Sequence, residues 1–155
     1  MLAAFSMKRM DFAGAVPLLR SCLAELSVPF IGDQRSMQLA AKNGGLRQVL
    51  HCEKLLGTAL RALGQSDEAL ALHEAVARDW CALDGEAHDN GLAAKTELAA
   101  TLQAAGQIKE ARKLLECVHR VRIRECGVEH HKTKDARAIL ADIGRAKGKR
   151  KLGNL

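Results

Sequence analysis

Few residues in this chain have the types and spacing that chemistry needs. Cys126, His130 and His131 lie close enough in sequence to reach one Zn²⁺ ion. A structural zinc site wants a fourth ligand, usually in a tighter paired spacing. His88 and His130 both fall near expected helix starts, so capping or packing is the better reading of these side chains. No acid/base pair, nucleophile motif or phosphate-binding loop is present. Gly44 and Gly45 lack the Gly-Lys-Ser/Thr that a P-loop requires. The chain reads as non-enzymatic, with no metal and no cofactor.

The five cysteines, Cys22, Cys52, Cys81, Cys117 and Cys126, are an odd number without a Cys-x-x-Cys pair. A disulfide framework usually shows an even count in a shorter secreted chain. These five read as reduced thiols that pack as small apolar residues, in a cytoplasmic protein. No apolar run reaches the 18 or more residues that a membrane helix needs. The start, MLAAFSMKRM, puts its basic residues after a short apolar run, which argues against a secretory signal.

The net charge of +6 is concentrated at the end, where Arg145, Lys147, Lys149, Arg150 and Lys151 place five cations in seven residues. With glycines at 148 and 153, residues 147–155 read as a basic flexible tail. Such a tail suits RNA, anionic lipid, an acidic protein surface or a nuclear signal, or is simply solvated. It has no aromatic residue to stack on bases, which argues against specific single-strand recognition.

What positions these residues is a repeat. Gly64-Gln65-Ser66-Asp67-Glu68-Ala69 returns as Gly106-Gln107-Ile108-Lys109-Glu110-Ala111, 42 positions on. The same offset joins Gly85 to Gly127, His88 to His130, Leu98 to Leu140 and Ala99 to Ala141. A fixed period of this length is the signature of a solenoid, in which each unit covers its neighbour's apolar face. Ala and Leu dominate while Tyr is absent, and both favour helix over sheet.

Helices are expected at 47–63, 66–84, 89–105, 107–126 and 132–146. Gly64 and Gly106 fall where a positive φ ends a first helix, and Gly85 and Gly127 close the second helices. Ser66 should cap the helix that Asp67 and Glu68 begin, and Asp89 or Asn90 should cap the next. Two small residues recur twelve apart, Gly57 with Ala69 and Ala99 with Ala111, and more faintly Ala3 with Ala15. They would let paired helices approach closely. Leu56, Leu60, Leu63, Leu70, Leu72, Leu98, Leu102, Leu114, Leu115, Val118, Leu140 and Ile143 form the expected core stripes. Trp80 is expected to pack, and Arg122 and Arg124 to be solvated.

Residues 2–26 are a weaker copy, with a short helix at 2–9 and Leu18, Leu19, Cys22, Leu23 and Leu26 at helical spacing. Pro17 should sit in the first turn, where a missing N–H costs little. Residues 27–46 break the period, with a short helix over 34–42 that Asp33 can cap and Asn43-Gly44 can end. The organisation is therefore a repeat domain over 1–146, interrupted at about 27–46, and the tail at 147–155. The partial first unit also suits a fragment of a longer array.

This pattern resembles the tetratricopeptide repeat, and its longer period resembles the kinesin light chain subtype. The match runs Leu98-Ala99…Leu102…Gly106…Glu110-Ala111…Leu114-Leu115…Gly127-Val-Glu-His130…Leu140-Ala141. It covers 47–146 well and 2–26 weakly. The subtype's His-Pro is His88-Asp89 and His130-His131 here, and its asparagine before leucine-alanine is Leu55, Glu97 and Ile139. In kinesin light chains that asparagine helps hold a peptide. The resemblance implies an all-α fold, a right-handed α-solenoid of antiparallel helix hairpins with about three and a half units.

It further implies that first-helix residues line a concave face. The candidates are His51, Lys54, Thr58 and Arg61, then Ala93, Thr96, Ala100 and Gln103, then Asp135, Asp142 and Arg145. Lys54 and Arg61 are seven apart and share a helix face, where they could engage an acidic peptide. The expected function is protein–protein interaction through that face, with a protein or peptide partner rather than a small-molecule substrate. The alternative is a ribonucleoprotein or nucleic-acid-associated component anchored by the tail.

Overall fold

The computed structural model describes residues 11–27 and 45–152, with side chains over 11–25 and 45–143. The expected helices at 2–9 and 34–42, the caps at Asp33 and Asn43-Gly44, and Ala3 lie outside the described residues. The described chain forms α1 (Phe12–Ser27), α2 (Gly45–Ala62), α3 (Ser66–Asp84), α4 (Asp89–Ala104), α5 (Ile108–Cys126) and α6 (His131–Leu152). No strand occurs among the described residues. The five helices expected from 47 onward all form, with starts and C-terminal ends within two residues except at the last. That one runs to Leu152 rather than 146. Its Lys and Arg residues are good helix formers and their charge suits a helix C-terminus, which outweighs the cost of about 1 kcal/mol at Gly148.

The chain divides into two compact units, residues 1–79 and 80–155. In the first, α1 packs on α2, and Ala15, Leu19, Leu56, Leu60 and Ala69 form a buried cluster edged by Val16, Leu23, Cys52, Leu55 and Leu72. In the second, α5 packs on both α4 and α6. Its buried residues include Leu92, Ala94, Ala99, Leu102, Ala111, Leu115, Val118, Ala136 and Ile143. Each fully buried Leu, Val or Ile contributes about 1.5–3 kcal/mol relative to exposure.

The turns follow from glycine. Gly64 and Gly106 have φ of +81° and +82°. Gly64 N–H donates to Arg61 O and Gln65 N–H to Leu60 O; Gly106 N–H donates to Gln103 O and Gln107 N–H to Leu102 O. These are two Schellman motifs, and they satisfy carbonyls that a helix end would leave open. The first intrahelical acceptor of α3 is Gln65 O, so Ser66 is the first helical residue and not the cap.

Several expectations are corrected. Leu63 is 45% exposed, because the residue before the turning glycine faces away from the partner helix. α1 begins at Phe12, where Asp11 Oδ1 accepts from Gly14 N–H at 3.0 Å. Pro17 is therefore its sixth residue, in the second turn, and leaves Ala13 O without its helical donor. Gly57 is buried on α2 against His73 of α3, where an added Cβ would lie 2.7 Å from the ring Nε2. The His73 ring is itself buried, with Nε2 3.2 Å from Lys54 O. The small residue at 57 makes room for that ring as well as for the approach of the two helices.

A methyl group at Gly106 meets no neighbouring atom, so Gly106→Ala tests backbone strain alone. It should lower unfolding stability by about 1–2 kcal/mol, read by urea denaturation, with helix content by circular dichroism unchanged.

Candidate functional site

Helix starts supply the first local geometry. His88 is the N-cap of α4, and its Nδ1 accepts from Asn90 N–H at 3.3 Å. His130 does the same for α6, accepting from Lys132 N–H at 3.3 Å. The cap residue is thus histidine, not Asp89 or Asn90. Asn90 instead donates from Nδ2 to Asp84 Oδ2 at 3.1 Å. His88 Nδ1 also lies 3.4 Å from Asp84 Oδ2, an ion pair only when the ring is protonated. With its lone pair serving the cap, that nitrogen carries no proton, and the cap is the bond we assign. Among the described residues, no three His, Cys, Asp or Glu side chains converge to hold a metal ion.

In the first unit, α2 carries His51, Lys54, Thr58 and Arg61. His51 is exposed and the other three are half-buried. Burial, and then the nearby Lys54 ammonium, push the His51 ring below its ordinary value. Thr58 Oγ1 donates to Lys54 O at 3.0 Å, so that hydroxyl is committed to its own helix. Burial, and then Asp79, raise the Glu53 carboxyl on the same helix.

In the second unit, α4 and α6 present Thr96, Gln103 and Asp142. The first two are half-buried and Asp142 is exposed. The Arg145 side chain lies outside the described residues. Thr96 Oγ1 donates to Leu92 O at 2.8 Å. Thr96 lines a cavity of about 240 Å³ together with Ala93 and Asp135, two further residues of the expected face. The structure adds Asp89, Glu97 and Ile139 from α4 and α6, and completes the lining with Arg122 and Lys132.

Arg122, expected to be solvated, is 7% exposed. Its Nη1 donates to Lys132 O at 2.8 Å, which ties the end of α5 to the start of α6. Its Nε–H is buried and has no acceptor among the described residues. Lys132 forms an ion pair with Asp89 and so joins the starts of α4 and α6. That hydrogen bond is the main reason the Asp89 carboxyl sits below the ordinary carboxylate range. Trp80, 42 positions before Arg122, is buried as expected. The repeat offset was the signal that could have marked Arg122 as buried. Cys117 and Cys126 are exposed, unlike the half-buried Cys22, Cys52 and Cys81.

Comparison with known proteins agrees with this architecture. A tetratricopeptide repeat family profile matches residues 92–132. In fold the chain is similar to tetratricopeptide repeats of the kinesin light chain-like kind. A Podosopora anserina protein described as a kinesin light chain with nearly identical TPR-like repeats superposes with a TM-score of 0.76 at 28% identity. A variant of that protein superposes with a TM-score of 0.75 at 27% identity. Each alignment covers 95% of this chain, which spans 64% of the length of either structure. No curated protein matches the chain in sequence. The fold is an all-α solenoid of the tetratricopeptide type.

The Asp89–Lys132 pair has a signed pH dependence. The folded-state carboxyl is held low, so its contribution is present above the ordinary Asp value of about 4 and is lost as pH falls through the lowered value. Both side chains are partly exposed, so Lys132→Met should cost under about 1 kcal/mol at pH 7. Urea unfolding of both proteins at several pH values should show that difference shrinking below about pH 4, and also in high salt.

Proposed function

We propose that this chain is a non-catalytic binding module of the cytoplasm that holds a peptide segment of a protein partner through residues of its first helices. Tetratricopeptide repeats generally mediate protein–protein interaction. The observation that carries the reading is the open cavity between α4 and α6. Its lining includes Ala93, Thr96 and Asp135, positions that the family resemblance implies for the binding face. Its 240 Å³ falls short of the roughly 300–1,000 Å³ typical of small-molecule sites, and it suits a side chain of a longer segment.

On α2, the Lys54 ammonium forms no ion pair among the described residues, and Arg61 stands two turns further along the same face. These two cations suit a carboxylate of the partner. In no described helix is there a stretch long and apolar enough to cross a membrane.

A second reading rests on the continuation of α6 to Leu152, which puts the five terminal cations on one helix. It makes the chain a nucleic-acid-associated component. The two readings separate by salt. Nucleic-acid binding through these cations should weaken steeply with salt and vanish when 145–155 are deleted.

The double variant Lys54→Glu, Arg61→Glu tests the first reading. Proteins captured from lysate by the parent chain should be retained at least tenfold less well by the variant. A loss of about 1.4 kcal/mol corresponds to that factor. Equal capture by both proteins, with circular dichroism unchanged, would show that α2 does not present the binding face.

A further inference from the structure

We propose that the cavity between α4 and α6 takes a lysine or arginine side chain of the partner segment; this rests on the binding-face reading above and gives the partner's chemistry at one position. The lining holds three carboxylates, Asp89, Glu97 and Asp135, against two cations, Arg122 and Lys132. Lys132 and Asp89 neutralise one another through their ion pair. Glu97 has an interaction of its own, which leaves Arg122 and Asp135 as one charge of each sign. Asp135 is exposed and makes no hydrogen bond or ion pair among the described residues.

A carboxylate entering the cavity would meet Asp135 and Glu97, both of its own sign. A long cationic side chain fits better. Its methylene stem can lie on Ala93 and Ile139 while its head group reaches Asp135. Arg122 does not reverse the choice. One of its nitrogens already donates to Lys132 O, and its buried Nε–H needs an acceptor oxygen. That N–H is closed to solvent, so it offers an incoming carboxylate no hydrogen bond.

The test is an amide NMR titration of the full chain with two blocked residues, Nα-acetyl-lysine methylamide and Nα-acetyl-aspartate methylamide. The lysine probe should give saturable shifts at Ala93, Thr96 and Ile139, at least threefold stronger in affinity than the aspartate probe. Asp135→Asn, at an exposed position, should weaken the lysine probe by threefold or more. Equal affinities for the two probes, or no effect of Asp135→Asn, overturn the assignment. If the lysine probe leaves these amides unmoved while the aspartate probe saturates at Lys54 and Arg61, the cation site falls and the binding face stands. If neither probe moves either set of amides, both fall.

A separate observation carries a second inference. The Sγ atoms of Cys22 on α1 and Cys52 on α2 lie 4.0 Å apart, both half-buried. We infer that this pair is an oxidation site at which a peroxide joins α1 to α2 by a disulfide. One thiolate attacks the peroxide, the O–O bond breaks, and a sulfenic acid and water form. The second thiol then attacks that sulfur, the S–S bond forms, and a second water leaves. Two thiols are oxidised by two electrons and one peroxide is reduced. The sulfurs close from 4.0 Å to about 2.05 Å. Burial, and then the neighbouring Cys22, hold the Cys52 thiol above its ordinary value.

Treating the full chain with hydrogen peroxide and alkylating the remaining thiols should leave two fewer modified cysteines than the five in the sequence. Digestion should yield one linked peptide pair holding residues 22 and 52. Cys22→Ser should abolish that link. Linkage through Cys81, Cys117 or Cys126 instead, or five alkylated thiols after peroxide, would overturn the inference.

Discussion

Paired helices in this protein meet at small residues, and the fit at those points leaves room for little more than a methyl group. Ala69, Ala99 and Ala111 have no exposed surface at all. At Gly57 even a methyl group is excluded, because the His73 ring fills the space where a Cβ would sit. Interiors packed to crystal-like density cannot absorb such an insertion without moving a helix. The turns, the caps and the faces left to solvent all depend on helices held at that separation. The left-handed glycines at 64 and 106 return the chain at the distance this contact demands.

Much of this was legible from one offset. The 42-residue repeat gave the helices from 47 onward, their closing glycines and the fully buried alanines, because identical local chemistry must meet identical packing. What it did not give were residues whose type conflicts with their place. Arg122 reads as a solvated charge, yet it sits where Trp80 sits one repeat earlier, and both are buried. His73 is polar, yet it occupies the place of fully buried Leu115. In both cases the repeat register outweighs polarity, since a buried polar group is acceptable when a backbone carbonyl receives its N–H. Arg122 finds Lys132 O and His73 finds Lys54 O. Pro17 and Leu63 went the other way. Each was read from its own preference, while the helix boundary was set by Asp11 at one and Gly64 at the other.

The candidate site was legible in part. Ala93, Thr96 and Asp135 were expected to share one face, and they line one cavity. The polar network beneath them was not visible. Arg122, Lys132 and Asp89 come from three helices, and only packing brings them together. That network fixes the starts of α4 and α6 relative to the end of α5. It therefore sets the shape of the cavity as well as its charge. Stability and the proposed recognition share residues here, so changes at Asp135, whose side chain bonds to nothing among the described residues, separate them most cleanly.

The central claim is that equivalent positions in successive repeats occupy equivalent packing sites. Replacing the first unit's Gly57/His73 pair by the second unit's counterparts, Ala99 and Leu115, tests it most directly. A double-mutant cycle of Gly57→Ala and His73→Leu would be read by urea unfolding. Gly57→Ala alone should destabilise by about 1–3 kcal/mol, since overpacking outweighs the better helix propensity of alanine. In the His73→Leu background the same change should be neutral or stabilising, giving a coupling of at least about 1 kcal/mol. Additive effects, or a Gly57→Ala variant more stable than the parent, would contradict the shared packing site on which the account rests.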